Sequence, residues 1–484
     1  MSLKASAVSG AKWTTLSTLV HTGLQFAQLA ILARFLSPED FGLMAMLMVV
    51  IGFAQSYADM GVSNAIIHRQ DVTPDQLSSL YWLNLFAGGA VFVVLFLATP
   101  LVTAFYRESR LTALMHWSIL VFLITPVGQQ FQILLQKELR FKALALCEIV
   151  SRFLGFLIAV VTAWRGAGVY ALIWGALASA AGLSLGLLVA GGPLHRPRLR
   201  FCVADTRGFL GFGAYQMGER SINYFNNNLD KLILGRLLGA DALGYYNLAW
   251  NLVIQPVARI NPILTRIAFP VFARLQNQPE ALRNGYLRIL RVLSTANFTA
   301  LFGIAAVAPV LVPVVFGQRW LPVVVLVQIL AFVSLVRAVS NPVGSLLLAK
   351  GRADLGFKWN LALLFSQWIG IILGARLGAL EGVSLALLIL HIAYFFLGYR
   401  FLVSPLIGPC WKDYASSLLP AFWISSTMAL GVWALLLALM RTNLDRRLLL
   451  AVGVGAGILY FLVATFATRR SEFAELAKYA GFSR

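Results

Sequence analysis

The apolar residues of this 484-residue chain arrive in runs of about 20 to 28, each long enough to cross a hydrocarbon layer roughly 30 Å thick. Runs of that length leave few options. Without water in the bilayer core, every backbone N–H and C=O must be satisfied within the protein, which selects helices or closed barrels. Short alternating strands are absent from the sequence, so a barrel is excluded. Hydrophobic residues make up 59% of the chain and charged ones 12%, too little charge to solvate a soluble protein of this size. The expected fold class is an all-α polytopic membrane protein.

Apolar runs bounded by charges and turn residues fall near 13–36, 41–66, 77–103, 112–136, 141–164, 167–190, 209–237, 241–268, 284–310, 322–348, 353–376, 380–403, 414–440 and 447–468. That predicts about fourteen transmembrane helices. The first run is flecked with Thr14, Ser17, Thr18, His21, Gln25 and Gln28, unlike the clean apolar core of a removable signal peptide, and reads as a retained span. Cys147, Cys202 and Cys410 have no paired spacing, so neither a disulfide framework nor a metal site is indicated. No cofactor is expected.

The net charge of +20 raises the question of nucleic acid, but position explains it first. With both termini in the cytoplasm, 23 of the 39 Lys and Arg residues fall in cytoplasmic segments, 10 in outer loops and six within spans. A bias above two to one is the positive-inside signature. No nucleic-acid partner is therefore expected. Trp13, Trp82, Trp164, Trp320 and Trp411 lie near predicted span ends, where interface anchors belong. The outer loops are short, leaving no room for an external catalytic domain.

The longest hydrophilic connection, 191–208, is basic. It suggests an N-terminal lobe (1–190), a cytoplasmic linker (191–208), a second lobe (209–403), and two further helices with a tail (404–484). The end of the first run, ILARFLSPEDFG (31–42), matches ILGRLLGADALG (233–244) at an offset of 202 residues, with Glu39 facing Asp241. Two six-helix lobes in the same orientation imply a pseudo-twofold axis along the membrane normal, a plan found in transporters.

Polar residues in the spans follow helical stripes. Thr14, Thr18, His21, Gln25 and Gln28 are spaced 4, 3, 4 and 3, one face of a helix. Under the 202-residue offset His21 aligns with Asn223, Gln25 with Asn227 and Gln28 with Asp230, on a face that also carries Glu219 and Asn226, with Arg220 and Lys231 beside it. Gln255, Arg259 and Arg266 form another stripe, Gln129, Gln132 and Gln136 a further one, and Ser334, Arg337 and Asn341 the last; Asp59 lies in the second run.

Ten ionisable groups sit within spans: Arg152, Arg220, Lys231, Arg259, Arg266 and Arg337 against Asp59, Glu148, Glu219 and Asp230. Facing lipid, each would cost roughly 2.5–3.5 kcal/mol near the bilayer centre, so most must pair, face water or sit near the interface. Glu148 and Arg152 have the i, i+4 order that favours an intrahelical pair. Asp59 suits a helix cap, and Arg266, near a span end, suits snorkelling. The others are expected to line a cavity. Six bases against four acids, with many amides, suit an anionic headgroup bearing hydroxyls, because the Arg fork binds diphosphate in bidentate fashion. Arg259, Arg266, Arg337, Arg220, Asn223, Asn227, Gln25, Gln28, Gln255 and Asn341 are the candidate substrate-binding residues. Glu219, Asp230 and Asp59 are the candidate ion-coupling carboxylates.

Ordered strings along residues 1–405 carry a family resemblance: SGAKW (9–13), YWLN (81–84), GQQF (128–131), QKEL (136–139), INYFNNNLD (222–230), NPILTRIAFPVFA (261–273), VFGQRW (315–320) and NPVGSLLLAKGRAD (341–354). The chain resembles the polysaccharide-exporter (Wzx-like) branch of the MOP flippase superfamily, the colanic-acid-type exporters in particular. The resemblance implies a bacterial inner-membrane transporter, not an enzyme, that moves undecaprenyl-diphosphate-linked oligosaccharides by alternating access. A proton or sodium gradient would drive it, with membrane lipid, a polysaccharide polymerase and glycosyltransferases as partners. The rival readings are a lipid II flippase, a cation-coupled drug exporter, and a polysaccharide polymerase or ligase. The basic spans argue against the drug exporter, and the short outer loops against the polymerase or ligase. The family supplies no catalytic motif, so the site residues rest on the stripes alone.

Overall fold

The computed structural model describes residues 3–58, 66, 72–203, 207–442 and 444–468, whose regular structure is helical, without a strand. In chain order the helices are α1 (Leu3–Phe35), α2 (Pro38–Ala58), α3 (Pro74–Tyr106), α4 (Leu111–Ser118), α5 (Val121–Lys137), α6 (Phe141–Trp164), α7 (Tyr170–Gly191), α8 (Arg207–Leu275), α9 (Pro279–Val315), α10 (Val323–Ser340), α11 (Pro342–Ala349), α12 (Ala353–Gly398), α13 (Ser404–Ile407), α14 (Trp411–Leu439) and α15 (Arg446–Thr468). A π turn, Tyr399–Val403, joins α12 to α13.

Helix boundaries follow local chemistry. Thr73 caps α3: its Oγ1 accepts from the Gln76 amide at 3.2 Å while its own amide donates to Gln76 Oε1 at 3.1 Å. This reciprocal pair satisfies two orphan donors, and Pro74 occupies the first helical position, where a missing N–H costs nothing. The helix ends where Arg107 turns left-handed (φ 55°). At the start of α2, Asp40 Oδ2 accepts from the Ser37 amide and hydroxyl at 2.9 and 2.8 Å, placing a carboxylate at the positive end of the helix dipole.

Among the described residues eleven helical stretches are long and apolar enough to cross a membrane. The difference from the fourteen predicted runs lies in α8 and α12. Helix α8 contains the runs 209–237 and 241–268, neither of which is among the eleven, and breaks between them at Gly239 (φ 82°), a conformation glycine adopts freely. Helix α12 merges 353–376 with 380–403 across Gly378 and Ala379.

The chain forms two compact units, residues 1–244 and 245–484. In the first, α6 and α7 approach on small residues. A Cβ at Gly155 would lie 2.7 Å from the Gly175 carbonyl, and one at Gly175 would lie 2.6 Å from Ala159 Cβ. Small residues let membrane helices meet backbone to backbone, where van der Waals packing must replace the hydrophobic drive. The repeated motif itself is also an interface. A Cβ at Gly42 would fall 1.7 Å from the Ala240 carbonyl oxygen, and one at Gly244 would fall 1.8 Å from the Pro38 carbonyl oxygen. At an offset of 202, Gly42 corresponds to Gly244 and Pro38 to Ala240. The two contacts are therefore the same contact made in both directions, as a local twofold demands.

In the second unit α9 is the central helix. Leu282, Tyr286, Leu290, Leu293 and Leu301 are fully buried on it, and Ala306, Val307 and Val310 pack with Val432, Leu436 and Leu449 of α14 and α15. Trp320, expected at an interface, is instead wholly buried against the Tyr245 ring at 5.8 Å. By contrast Trp423, Leu430, Leu459 and Val463 leave broad apolar faces of α14 and α15 exposed, which suits lipid rather than water.

Candidate substrate-binding site

The second half of α8 carries Gln255, Arg259 and Arg266 at spacings of four and seven, hence on one face. Gln255 and Arg259 are half-buried and Arg266 is exposed. On α10, half-buried Arg337 lays its guanidinium over the Trp250 ring of α8, 5.1 Å from the centroid. At half burial such a contact contributes about 0.5–2 kcal/mol. Asn341 is exposed, immediately before Pro342 at the start of α11.

A buried amide pair, which helical spacing alone does not reveal, lies next to Arg337. Asn261 Nδ2 donates to the Ala338 carbonyl at 3.1 Å, and Asn297 Nδ2 donates to Asn261 Oδ1 at 2.9 Å. Both asparagines are about as buried as the apolar core (2% and 0% exposed). They tie α8, α9 and α10 together directly beside Arg337. Ser334, one turn before Ala338, is also fully buried, its Oγ without a hydrogen-bond partner among the described residues. His391 of α12 is buried with Nδ1 2.8 Å from the Leu387 carbonyl. The sequence signals were the Asn261–Pro262 dipeptide, where proline removes a helix bond, and a lone histidine in an apolar run. We expect Asn261→Leu to destabilise the protein by about 1–3 kcal/mol, since it removes the donor to the Ala338 carbonyl and leaves Asn297 Nδ2 with only its bond to the Leu293 carbonyl. Thermal unfolding in detergent measures this, and an unchanged midpoint would contradict it.

In the first unit, α1 carries Gln25, exposed, and Gln28, half-buried. The first half of α8 carries Asn227, exposed, and Asp230, only 8% exposed. Lys231 donates to Asn228 Oδ1 at 3.3 Å. Asp59 and the side chains of Glu219, Arg220 and Asn223 lie outside the described residues, although the backbone at 219–223 is helical. Tyr224 hydroxyl donates towards the Met48 and Val49 carbonyls at 3.0 Å each, fixing α8 against α2 at Gly52, where a Cβ would strike that hydroxyl.

The expected Glu148–Arg152 pair is not formed. Glu148 Oε2 instead accepts from Ser17 Oγ of α1 at 2.6 Å, and Arg152 is exposed. A short hydroxyl donor on a packed neighbouring helix outcompetes a long side chain on the carboxylate's own helix. Near the end of α3, Arg110 bridges Glu39 at 2.5 Å and Glu108 at 2.9 Å, and the guanidinium holds the Glu108 carboxyl below the usual range. Among the described residues no cluster of His, Cys, Asp or Glu could hold a metal ion.

This arrangement of helices is a known fold. It superimposes on the lipid II flippase MurJ in its inward closed conformation with a TM-score of 0.73 at 13% identity, covering 96% of this chain and 100% of that one. Residues 31–325 match the polysaccharide biosynthesis protein family, and the chain belongs to it. It is 37% identical to the lipopolysaccharide biosynthesis protein WzxC of Escherichia coli (strain K12), over 88% of this chain and 86% of that protein. It is 36% identical to the teichuronic acid biosynthesis protein TuaB of Bacillus subtilis (strain 168), over 95% of each.

Proposed function

We propose that this chain is a flippase that carries undecaprenyl-diphosphate-linked oligosaccharide repeat units across the bacterial inner membrane by alternating access, for exopolysaccharide assembly. The observation that carries the reading is the conjunction of a polysaccharide biosynthesis family with the fold of a lipid flippase. Arg259, Arg266, Arg337 and Arg220 would grip the diphosphate. Gln25, Gln28, Asn223, Asn227, Gln255 and Asn341 would meet sugar hydroxyls. Glu219, Asp230 and Asp59 would take up a coupling proton or sodium ion. A glycan headgroup is polar and a polyprenyl tail is not, so the first needs a lined path while the second can stay in lipid.

In this reading the chain crosses fourteen times, with α8 and α12 each supplying two crossings around Gly239 and around Gly378–Ala379. Both termini lie in the cytoplasm in this reading, which the 23-to-10 distribution of bases supports. The sequence repeat relates 1–190 to 209–403, and 404–484 follows as an appendage. Glycosyltransferases would supply the substrate and a polymerase would consume it.

Deleting the gene should abolish surface polysaccharide and leave lipid-linked repeat units that only a cytoplasmic-face probe can reach. Wild-type polysaccharide in the deletion strain would overturn the reading. Death of the strain through loss of peptidoglycan would reassign the chain to lipid II.

A further inference from the structure

Helix α12 does not end simply. After Gly398 the chain makes the π turn Tyr399–Val403, then the single turn α13, then a left-handed glycine, Gly408 (φ 83°), before α14 begins at Trp411. A π turn carries poorer hydrogen bonds than the α-helix it interrupts and recurs at functional sites. Here it opens a cavity of about 670 Å³ lined by Arg283, Tyr399, Arg400, Ser404, Trp411 and Lys412, among others. That volume lies within the range of small-ligand sites. The loop is pinned in place: the Cys410 amide donates to Tyr399 Oη at 2.7 Å.

The charges around this cavity are unbalanced. It has three bases and one acid, Asp413, and that acid is paired with Arg283. Arg400 and Lys412 are exposed and form no ion pair among the described residues. The polar groups sit beside an apolar rim. Trp411 is 40% exposed, and it contacts the Phe396 ring, itself half exposed, at 5.7 Å. An indole at the end of a membrane span stands at headgroup depth, wet at one edge and apolar at the other.

We propose that this cavity binds the phosphate of an anionic phospholipid from the surrounding leaflet. Two uncommitted bases and the Ser404 hydroxyl meet a phosphodiester, while Trp411 and Phe396 lie along the first part of its acyl chains. Basic recesses between helices at the cytoplasmic end of a membrane protein are the recurrent geometry for such headgroups. A soluble phosphate would gain nothing from the aromatic rim. The site lies wholly in the second unit, and its cytoplasmic placement rests on the topology proposed above. A bound lipid would brace the α12–α14 junction, tying the last helices to the transporter body at the membrane surface.

The test uses the purified full-length chain in phosphatidylcholine nanodiscs, titrated with short-chain fluorescent phosphatidylglycerol. The wild type should bind saturably, and Arg400→Gln/Lys412→Gln should weaken binding about tenfold or more, as expected for losing two surface bases. The charge-preserving pair Arg400→Lys/Lys412→Arg should retain binding, which separates a lost ligand contact from a lost fold. Phosphatidylglycerol should raise the thermal midpoint of the wild type and leave that of the neutral double variant unmoved. Equal binding by wild type and neutral variant would overturn the proposal. Competition by inorganic phosphate as effective as that by the lipid would overturn its lipid source.

Discussion

Gly42→Ala should cost this protein about 3 kcal/mol or more, and Gly42→Leu should leave no folded material. A carbon and a carbonyl oxygen approach no closer than about 3.3 Å even in favourable contacts, whereas a Cβ at Gly42 would lie 1.7 Å from the Ala240 oxygen. The obstacle is backbone within a helix, so no rotamer change relieves it. The helices must move apart, and every contact around the crossing loosens with them, which is overpacking in its most expensive form. Gly244→Ala, facing the Pro38 carbonyl at 1.8 Å, should behave the same way. Gly89→Ala is the control. It has nothing within 4 Å, lies inside α3, and should be neutral or stabilising by about 0.5–1 kcal/mol. Detergent thermal unfolding and gel-filtration monodispersity report the outcome. A native midpoint for Gly42→Ala would mean that the two segments are not locked together.

Arg337→Ala and Arg259→Ala should each cut polysaccharide export about 10- to 150-fold at normal expression. A charge-assisted hydrogen bond to phosphate contributes about 1.5–3 kcal/mol, and 1.4 kcal/mol is tenfold. For Arg337 the structure adds a finer expectation. Its guanidinium is held over Trp250, so Arg337→Lys should keep charge, lose the planar fork and the stacking surface, and recover only part of the activity. Trp250→Leu should impair export in the same direction while leaving both arginines in place. Wild-type export from both alanine variants would remove the diphosphate assignment. A fall in thermal midpoint matched by full export per folded molecule would make Arg337 a packing residue.

Much of the fold could be read before any coordinates, because a bilayer admits so few structures. The helical class, the apolar runs and the repeat at 31–42 and 233–244 follow from residue spacing and backbone satisfaction. The count of spans was less secure at α8, where stripes of Asn, Gln and Arg dilute hydropathy, and at α12, where two helices run together without a polar break. The candidate site was legible as stripes, since 3.6-residue periodicity marks a face. What that face meets is a matter of neighbours. Spacing cannot show that Asn261 reaches Asn297 on α9, that Trp250 receives Arg337, or that Glu148 prefers Ser17 of α1 to Arg152 on its own helix. Trp320 shows the same limit from the other side, because an indole near a span end suits either an interface or a core until its neighbours are known.

The reciprocal contact of Gly42 with Ala240 and Gly244 with Pro38 also bears on how such a chain changes over generations. A segment that meets its own duplicate is in effect a homodimer contact written into one polypeptide. Any replacement in one copy alters the surroundings of the other, so the two cannot drift apart there as freely as they can along lipid-facing surfaces. The repeat should therefore stay readable longest where the copies touch. Elsewhere in the chain, where each segment has lipid or unrelated helices for neighbours, any such likeness is free to fade.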